Sequence, residues 1–199
     1  MNMLEQDDMD DVCLTHSRLR HLRLGQLRKT GDIIGGFDTN AHILRHLTLP
    51  ALETLLISVL DIPDAELDSS APLQSLQVGV CFGDAEHRFL RRVSSLRDLT
   101  LDFRDAREPC ITALNTMATD QNFLPNLQNL NVYSWDNDGH EVFIIALTAR
   151  RASYRPQLQS FRIIFAYEGR PDDNILRALR RFAESGMHIH VGPFEPNYI

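Results

Sequence analysis

The feature that most limits how this chain can fold is one apolar spacing, Leu-x-x-Leu-x-Leu, in which Ile, Val or Phe replaces some of the leucines. It occurs six times, and a shorter apolar alternation closes the series; the segments begin at Leu19, Leu52, Leu73, Leu96, Leu127, Leu158 and Met187. Successive segments start 33, 21, 23, 31, 31 and 29 residues apart. Self-similarity at such a period is the sequence signature of repeat architectures. The chain is therefore predicted to be a repeat protein.

Each apolar segment predicts a β-strand, because its apolar residues alternate with polar ones. Helices are predicted between the strands from caps, chain breakers and apolar faces. They lie after Asp84, after Pro109, over residues 142–151 and after Pro171. A shorter helix is capped by Asp38 or Thr39, has Ile43, Leu44 and Leu47 as its apolar stripe and is ended by Pro50. Strands that alternate with helices imply a parallel sheet.

The pattern within the strands separates two parallel-sheet architectures. In a doubly wound sheet the central strands are apolar on both faces, because helices cover both faces. Here the residues between the core positions are mostly polar: His21, Arg23, Ser75, Gln77, Asp98, Thr100, Asp102, Asn129, Asn131, Ser160, Arg162, His188 and His190. Leu56, Tyr133 and Ile164 are the exceptions. One face is therefore solvated. The chain is predicted to be an α/β leucine-rich-repeat solenoid, with a curved parallel sheet on the concave face and helices and loops on the convex face.

One irregular repeat domain is expected over residues 14–192, because a chain of 199 residues can form one continuous solenoid without a second domain. Residues 1–13 contain five acidic residues and almost no periodic apolar pattern, which predicts an acidic tail or linker. Residues 193–199 contain two prolines, which oppose further strand pairing, and are predicted to be a carboxyl-terminal tail.

Composition argues against two classes of partner. The longest purely apolar run, residues 142–147, has six residues, whereas a helix needs about 20 to span a bilayer, so no membrane association is expected. The formal net charge of −7 argues against nucleic-acid binding, because a phosphate-tracking protein needs a basic surplus. The three cysteines form no C-x-x-C pair and no signal segment opens the chain, so an intracellular protein of the cytoplasm or nucleus is expected.

No catalytic, cofactor-binding or metal site is predicted. His188 and His190 would stand about 6.5–7 Å apart on one strand face, but no third metal ligand is predictable. Asp98 and Asp102 share a strand face at a spacing too large for a directly coupled carboxylate pair. No Gly-rich loop of the nucleotide-binding type occurs. A hydrolase or a metal-dependent enzyme is therefore the least favoured alternative, and no cofactor is expected.

The solvated face of the fourth, fifth and sixth repeats is the predicted protein-binding site. If their strands are parallel neighbours, nine residues form one patch: Asp98, Thr100, Asp102, Asn129, Asn131, Tyr133, Ser160, Arg162 and Ile164. The patch is mostly polar and is expected to expose one aromatic, one arginine and one aliphatic side chain. Tyr and Arg are among the residue types most often found at interface hot spots. A protein target is therefore the expected partner.

Three segments resemble the leucine-rich-repeat region of basidiomycete fungal F-box proteins: LxxLTLPALxxL at residues 44–55, FLRRxSSLxxLxL at 89–101 and FLPNLxxL at 123–130. The resemblance covers roughly residues 14–192 and implies the substrate-recognition part of an SCF-type ubiquitin-ligase receptor. In that family an amino-terminal F-box binds the SCF adaptor. The segment before Leu14 is too short for an F-box, so adaptor binding is expected only if an F-box exists outside this chain. A stand-alone leucine-rich-repeat scaffold with no ubiquitin role is the alternative.

Overall fold

A computed structural model of the protein describes eight stretches of the chain: residues 14–24, 47–60, 71–81, 84–102, 107–134, 140–152, 158–165 and 172–192. The tails predicted at residues 1–13 and 193–199 lie outside the described residues. All of the described residues therefore lie within the predicted repeat domain, residues 14–192.

The described residues form strands and helices in the following chain order. They are β1 (Leu14–Thr15), β2 (His21–Leu24), β3 (Leu47–Thr48), β4 (Thr54–Leu60), β5 (Ser75–Cys81), α1 (Asp84–Arg92), β6 (Asp98–Asp102), α2 (Arg107–Thr119), β7 (Asn129–Ser134), α3 (His140–Ala152), β8 (Ser160–Phe165), α4 (Asp173–Glu184) and β9 (His188–Gly192). From β5 onward each pair of successive strands is separated by one helix.

Seven of these strands form one parallel sheet. Its order is β2-β4-β5-β6-β7-β8-β9, which is also their order along the chain. The short strands β1 and β3 pair with each other in parallel as a separate two-stranded sheet. The helices contact one another in chain order, α1 with α2, α2 with α3 and α3 with α4. The predicted α/β class, with a parallel sheet and intervening helices, is confirmed.

One hydrogen-bond pattern recurs at the amino-terminal end of five successive strand pairs. The carbonyl oxygen of Arg97 accepts the N–H groups of Gln128 and Asn129 in the next repeat, at 2.8 and 2.9 Å. Four other carbonyls accept the equivalent two N–H groups: those of Arg20, Glu53, Gln74 and Gln128. Because these carbonyls occupy the same position in each repeat, each strand enters the sheet in the same register as its predecessor. Equivalent side chains therefore stand side by side across the sheet.

The repeated register aligns the apolar residues in rows beneath the sheet. One row lies just before the strands and contains Leu52, Leu73, Leu96, Leu127 and Leu158; a second contains Leu55, Leu76, Leu99, Leu130 and Phe161; a third contains Ile57, Val78, Leu101, Val132 and Ile163. Every member of these rows is at most 4% exposed. The prediction that the apolar positions of the repeat form the core is confirmed for the five central copies, and Leu130 is 1% exposed. In the first and last copies, Leu19, Leu22, Leu24, Met187 and Ile189 are only partly buried and pack against this core.

The helices pack apolar residues against the underside of the sheet. α1 buries Phe89 and Leu90, and α3 buries Phe143, Ala146 and Leu147 against the same core. α4 is capped at both ends: the Asp172 side chain accepts a hydrogen bond from the Asn174 N–H at 2.6 Å, and Gly186 after its carboxyl-terminal end takes the left-handed φ of 96°. Glycine is suited to that conformation because it has no Cβ. None of the described helices is both long enough and apolar enough to cross a bilayer.

The short helix predicted before Pro50, with Leu47 in its apolar stripe, differs from the structure at its carboxyl-terminal end. Leu47 belongs to β3, where it pairs with Leu14 of β1, and the preceding residues of that segment lie outside the described chain. The short apolar stripe assigned to this helix was too brief to distinguish a helix from a strand. Pairing with β1 decided the conformation of Leu47.

Candidate functional site

The sheet has a second face, opposite the buried apolar rows, that we call the open face. Two rows of residues occupy it between the core positions. The first is His21, Thr54, Ser75, Asp98, Asn129, Ser160 and His188, and the second is Arg23, Leu56, Gln77, Thr100, Asn131, Arg162 and His190. All of these side chains are partly or fully exposed, and Leu56 is the single apolar member. The open face is therefore a polar surface laid over an apolar core.

The predicted arrangement of the nine patch residues is confirmed as to register. Asp98, Thr100 and Asp102 pair with Asn129, Asn131 and Tyr133, and these three pair in turn with Ser160, Arg162 and Ile164. The side chain of Asp102 lies outside the described part of the structure, although its strand position is fixed. The patch is thus contiguous over the three neighbouring strands β6, β7 and β8.

The expectation that Ile164 is exposed is wrong. Its side chain is only 5% exposed, although it occupies the open-face phase of β8 between Tyr133 and Gly192. The three carboxyl-terminal residues of β8 are all buried, and Gly192 at the end of β9 is buried as well. Both faces of the sheet are therefore covered at this end. Strand alternation predicts which face a residue takes, but it does not predict whether that face reaches water.

The centre of the open face is joined by side-chain hydrogen bonds between neighbouring repeats. Asn129 Nδ2 donates to Asp98 Oδ1 at 2.5 Å, and Asn131 Nδ2 donates to Thr100 Oγ1 at 3.2 Å. These contacts orient both amides along their rows. A primary amide has two N–H groups and a carbonyl oxygen, so each asparagine retains groups that can hydrogen-bond to a partner. The centre of the patch is therefore polar and held in place.

Arg162 and Tyr133 are the two large side chains of the predicted patch that keep exposed surface. Arg162 is exposed, whereas Tyr133 is partly buried. Arg162 stands opposite Asn131, and Tyr133 stands opposite Ile164, so the two residues are diagonal neighbours on adjacent strands. Truncating either one removes surface from the open face without opening the apolar rows on the other side of the sheet.

Sequence reasoning left His188 and His190 out of the patch. The two rows continue onto β9, where His188 pairs with Ser160 and His190 pairs with Arg162. The alternation of polar and apolar residues in residues 187–191 was the signal that could have added them, since it matches the preceding repeats. Among the described residues there is no group of three or more His, Cys, Asp or Glu side chains that could hold a metal ion.

On the helical side of the sheet, polar side chains bond to one another. Arg91 Nη1 donates to Asp120 Oδ2 at 2.7 Å, and its guanidinium lies 5.8 Å from the centre of the Phe123 ring. His87 stacks on the same ring at 5.3 Å and hydrogen-bonds to Thr116 Oγ1 at 2.8 Å. The backbone N–H of Asn122 and the Arg91 guanidinium lower the pKa of Asp120 below its ordinary value of 3.8. This cluster links α1, α2 and the turn after α2.

A scan against protein-family models, a search of curated proteins and a search of solved structures each found no match to this chain.

Proposed function

We propose that this chain is a protein-protein interaction module and that the open face of its sheet binds the partner. The observation that supports this proposal is the division of each strand from β4 to β8. One set of alternate residues is buried in continuous apolar rows, and the other forms rows of partly exposed amides, hydroxyls and charged groups. A surface of this kind can satisfy the hydrogen-bonding groups of an extended partner over several repeats.

The fold that accompanies this proposal is a leucine-rich-repeat solenoid, with the open face as its concave surface. Three features support it: the strand order follows the chain, one carbonyl in each of five repeats accepts the same two N–H groups, and the helices contact each other in sequence. In a solenoid each repeat contacts only its neighbours, so the binding surface lengthens with the number of repeats. The patch on β6, β7 and β8 would be its central part.

Within this proposal, the chain is the substrate-recognition part of an intracellular F-box receptor of an SCF-type ubiquitin ligase. The leucine-rich segments that resemble fungal F-box proteins motivate this role, and an F-box outside this chain would bind the adaptor. The alternative is a stand-alone scaffold with no ubiquitin role. Co-purification of the adaptor with the product of the intact gene distinguishes them: the receptor retains the adaptor, and the scaffold does not. In either role we propose a binding protein and not an enzyme.

The test of the binding face is a comparison of two double variants in affinity purification from the source cells. Tyr133→Ala with Arg162→Ala removes the two large exposed groups of the patch. Arg177→Ala with Arg181→Ala, on the exposed side of α4, is the control for losing arginine surface. We expect the first variant to recover at least about tenfold less of the partners that the unaltered protein recovers, which corresponds to about 1.4 kcal/mol of binding free energy. The control should recover them undiminished.

Both variants should unfold at the temperature of the unaltered protein, because none of the four arginine and tyrosine side chains belongs to the apolar rows. Undiminished recovery by a correctly folded Tyr133→Ala, Arg162→Ala variant would place the binding surface on the loops or the helices and contradict the proposal.

A further inference from the structure

The open face is unequal in charge along the sheet, and its β8–β9 end is cationic. Arg162 is exposed on β8, and its register partner on β9 is His190. Their Cα atoms are about 4.8 Å apart, as in any pair of adjacent strands, and His188 lies about 6.5–7 Å from His190 on the same face. One guanidinium and two imidazoles therefore share an area that a single small anionic group can contact.

Within the described residues, no carboxylate shares this end of the open face. β7, β8 and β9 contain no Asp or Glu, and the first carboxylates beyond them are Asp98 and Asp102 on β6, two strands away from Arg162. Asp98 already accepts a hydrogen bond from Asn129. Arg162 itself is exposed, and none of the described residues of these three strands is acidic, so an anion from a partner can approach its guanidinium.

The charge of the whole chain limits what that anion can be. A formal net charge of −7 repels a polyanion such as nucleic acid over the rest of the surface. A single carboxylate on a peptide meets only the local field, and arginine binds carboxylates with two parallel N–H···O bonds. A histidine ring on the neighbouring strand β9 can donate a further N–H. The chemistry of this end therefore favours an Asp or Glu side chain over a nucleic-acid backbone.

We propose that the open face binds an extended peptide segment of the partner, with an Asp or Glu side chain seated on Arg162 beside His188 and His190. This inference rests on the proposed function and names the partner's chemistry. β6 and β8 are two strands apart, about 10 Å, and an extended chain advances about 3.3 Å per residue. Arg162 lies in the row of Thr100, so Asp98 is two strands and two residues away, about 12 Å in all. Because side chains alternate along an extended chain, a Lys or Arg four residues from the acidic side chain would then face Asp98. The segment crosses the strands with its acidic residue toward β9.

The test is a selection of random dodecapeptides displayed on phage, panned on the immobilised full chain. Enriched peptides are synthesised with a fluorescein label, and their affinity is measured by fluorescence anisotropy. We expect enrichment of Asp and Glu, and affinity that falls as the salt concentration rises. Arg162→Glu should weaken the enriched peptides at least tenfold. Arg177→Glu on α4 makes the same change in net charge on the helical side and should weaken them less than twofold.

The outcomes separate this inference from the function on which it rests. The selection could instead enrich neutral or basic peptides, with an affinity that depends on Tyr133 and not on the charge at position 162. That result would overturn the acidic-peptide inference and leave the open face as the binding face. Acidic peptides that bind Arg162→Glu unchanged would also overturn it. Peptides that bind normally to both Arg162→Glu and Tyr133→Ala would overturn the inference and the open-face function together. Thermal unfolding of each variant confirms that it is folded.

Discussion

The two faces of the central strand β7 differ in burial and in polarity. Leu130 and Val132 face the core and are fully buried between equivalent residues of β6 and β8. Asn129 and Asn131 alternate with them, face the open side and hydrogen-bond to side chains of β6. The backbone and the neighbours are shared, and only the direction of the side chains differs. The apolar residues of a repeat therefore form the core, and the residues between them form the surface that we propose binds the partner.

The largest expected difference between the two faces is a difference in stability. Leu130→Ala removes a buried side chain from the second apolar row and should lower the free energy of unfolding by about 2–5 kcal/mol. Asn131→Ala, one residue further on, removes a partly exposed amide with one long hydrogen bond and should lower it by about 1 kcal/mol or less. Urea denaturation of both variants measures the two values under the same conditions.

Equal losses in these two variants would contradict the division of the strand into a structural and a binding face. A loss below about half a kcal/mol for Leu130→Ala would also contradict it, because replacing a packed core leucine by alanine lowers the free energy of unfolding by much more than that.

Much of the fold followed from the sequence because the repeat supplies the same evidence several times. A single Leu-x-x-Leu-x-Leu is weak evidence for a strand, but six copies predicted the parallel sheet and the pairing of Asp98 with Asn129 and of Asn129 with Ser160. Leu47 was assigned to a helix because Ile43, Leu44 and Leu47 form a short apolar stripe of helical spacing, and the structure places it in β3 instead.

The site was predicted less completely, because exposure depends on residues that are distant in sequence. The pattern placed Ile164 on the open face, but it could not show that the carboxyl-terminal end of that face is covered. The pattern likewise could not tell the adjacent arginines of α3 apart. Arg150 is buried, and its Nη2 donates to the carbonyl of Phe123, whereas Arg151 is exposed. Which of the two arginines is buried depends on where the turn that contains Phe123 lies, and the sequence pattern does not give that position.

The second largest effect is expected for this pair of arginines. It tests whether the hydrogen bond from Arg150 to the Phe123 carbonyl stabilises the fold. Arg150→Met keeps a long unbranched side chain but removes the donor to the buried Phe123 carbonyl. Loss of a partner for a buried polar group lowers stability by about 1–3 kcal/mol. Arg151→Met makes the same replacement at the next, exposed position and should stay within about 0.5 kcal/mol of the unaltered protein. Urea denaturation of both variants tests this, and equal effects would mean that the Phe123 contact contributes nothing.

A smaller effect is expected on the open face, where the contacts of Asp98 and Asn129 are only partly buried. A double-mutant cycle with Asp98→Ala, Asn129→Ala and the combined variant isolates their interaction. We expect a coupling free energy of about 0.5–1.5 kcal/mol, the range of an ordinary hydrogen bond. A coupling as large as the loss from Leu130→Ala would show that the open face also stabilises the fold, and the separation between the two faces would fail.

The smallest expected effect lies in the exposed ion pair on the helical side, and it is recognised by its pH dependence. The Asn122 N–H and the Arg91 guanidinium bind the Asp120 carboxylate at 2.9 and 2.7 Å and lower its pKa below 3.8. Because the pKa is lower in the folded than in the unfolded protein, the charged form adds stability above pH 3.8, and this contribution is lost as the pH falls through the folded pKa. Asp120→Asn should therefore melt at a lower temperature than the unaltered protein above pH 3.8, and the two melting curves should converge below it. Glu184→Gln, at the end of α4, is the control for the loss of one exposed negative charge. A difference that persists or widens at the acidic end would show that the carboxylate does not stabilise the fold through these two contacts.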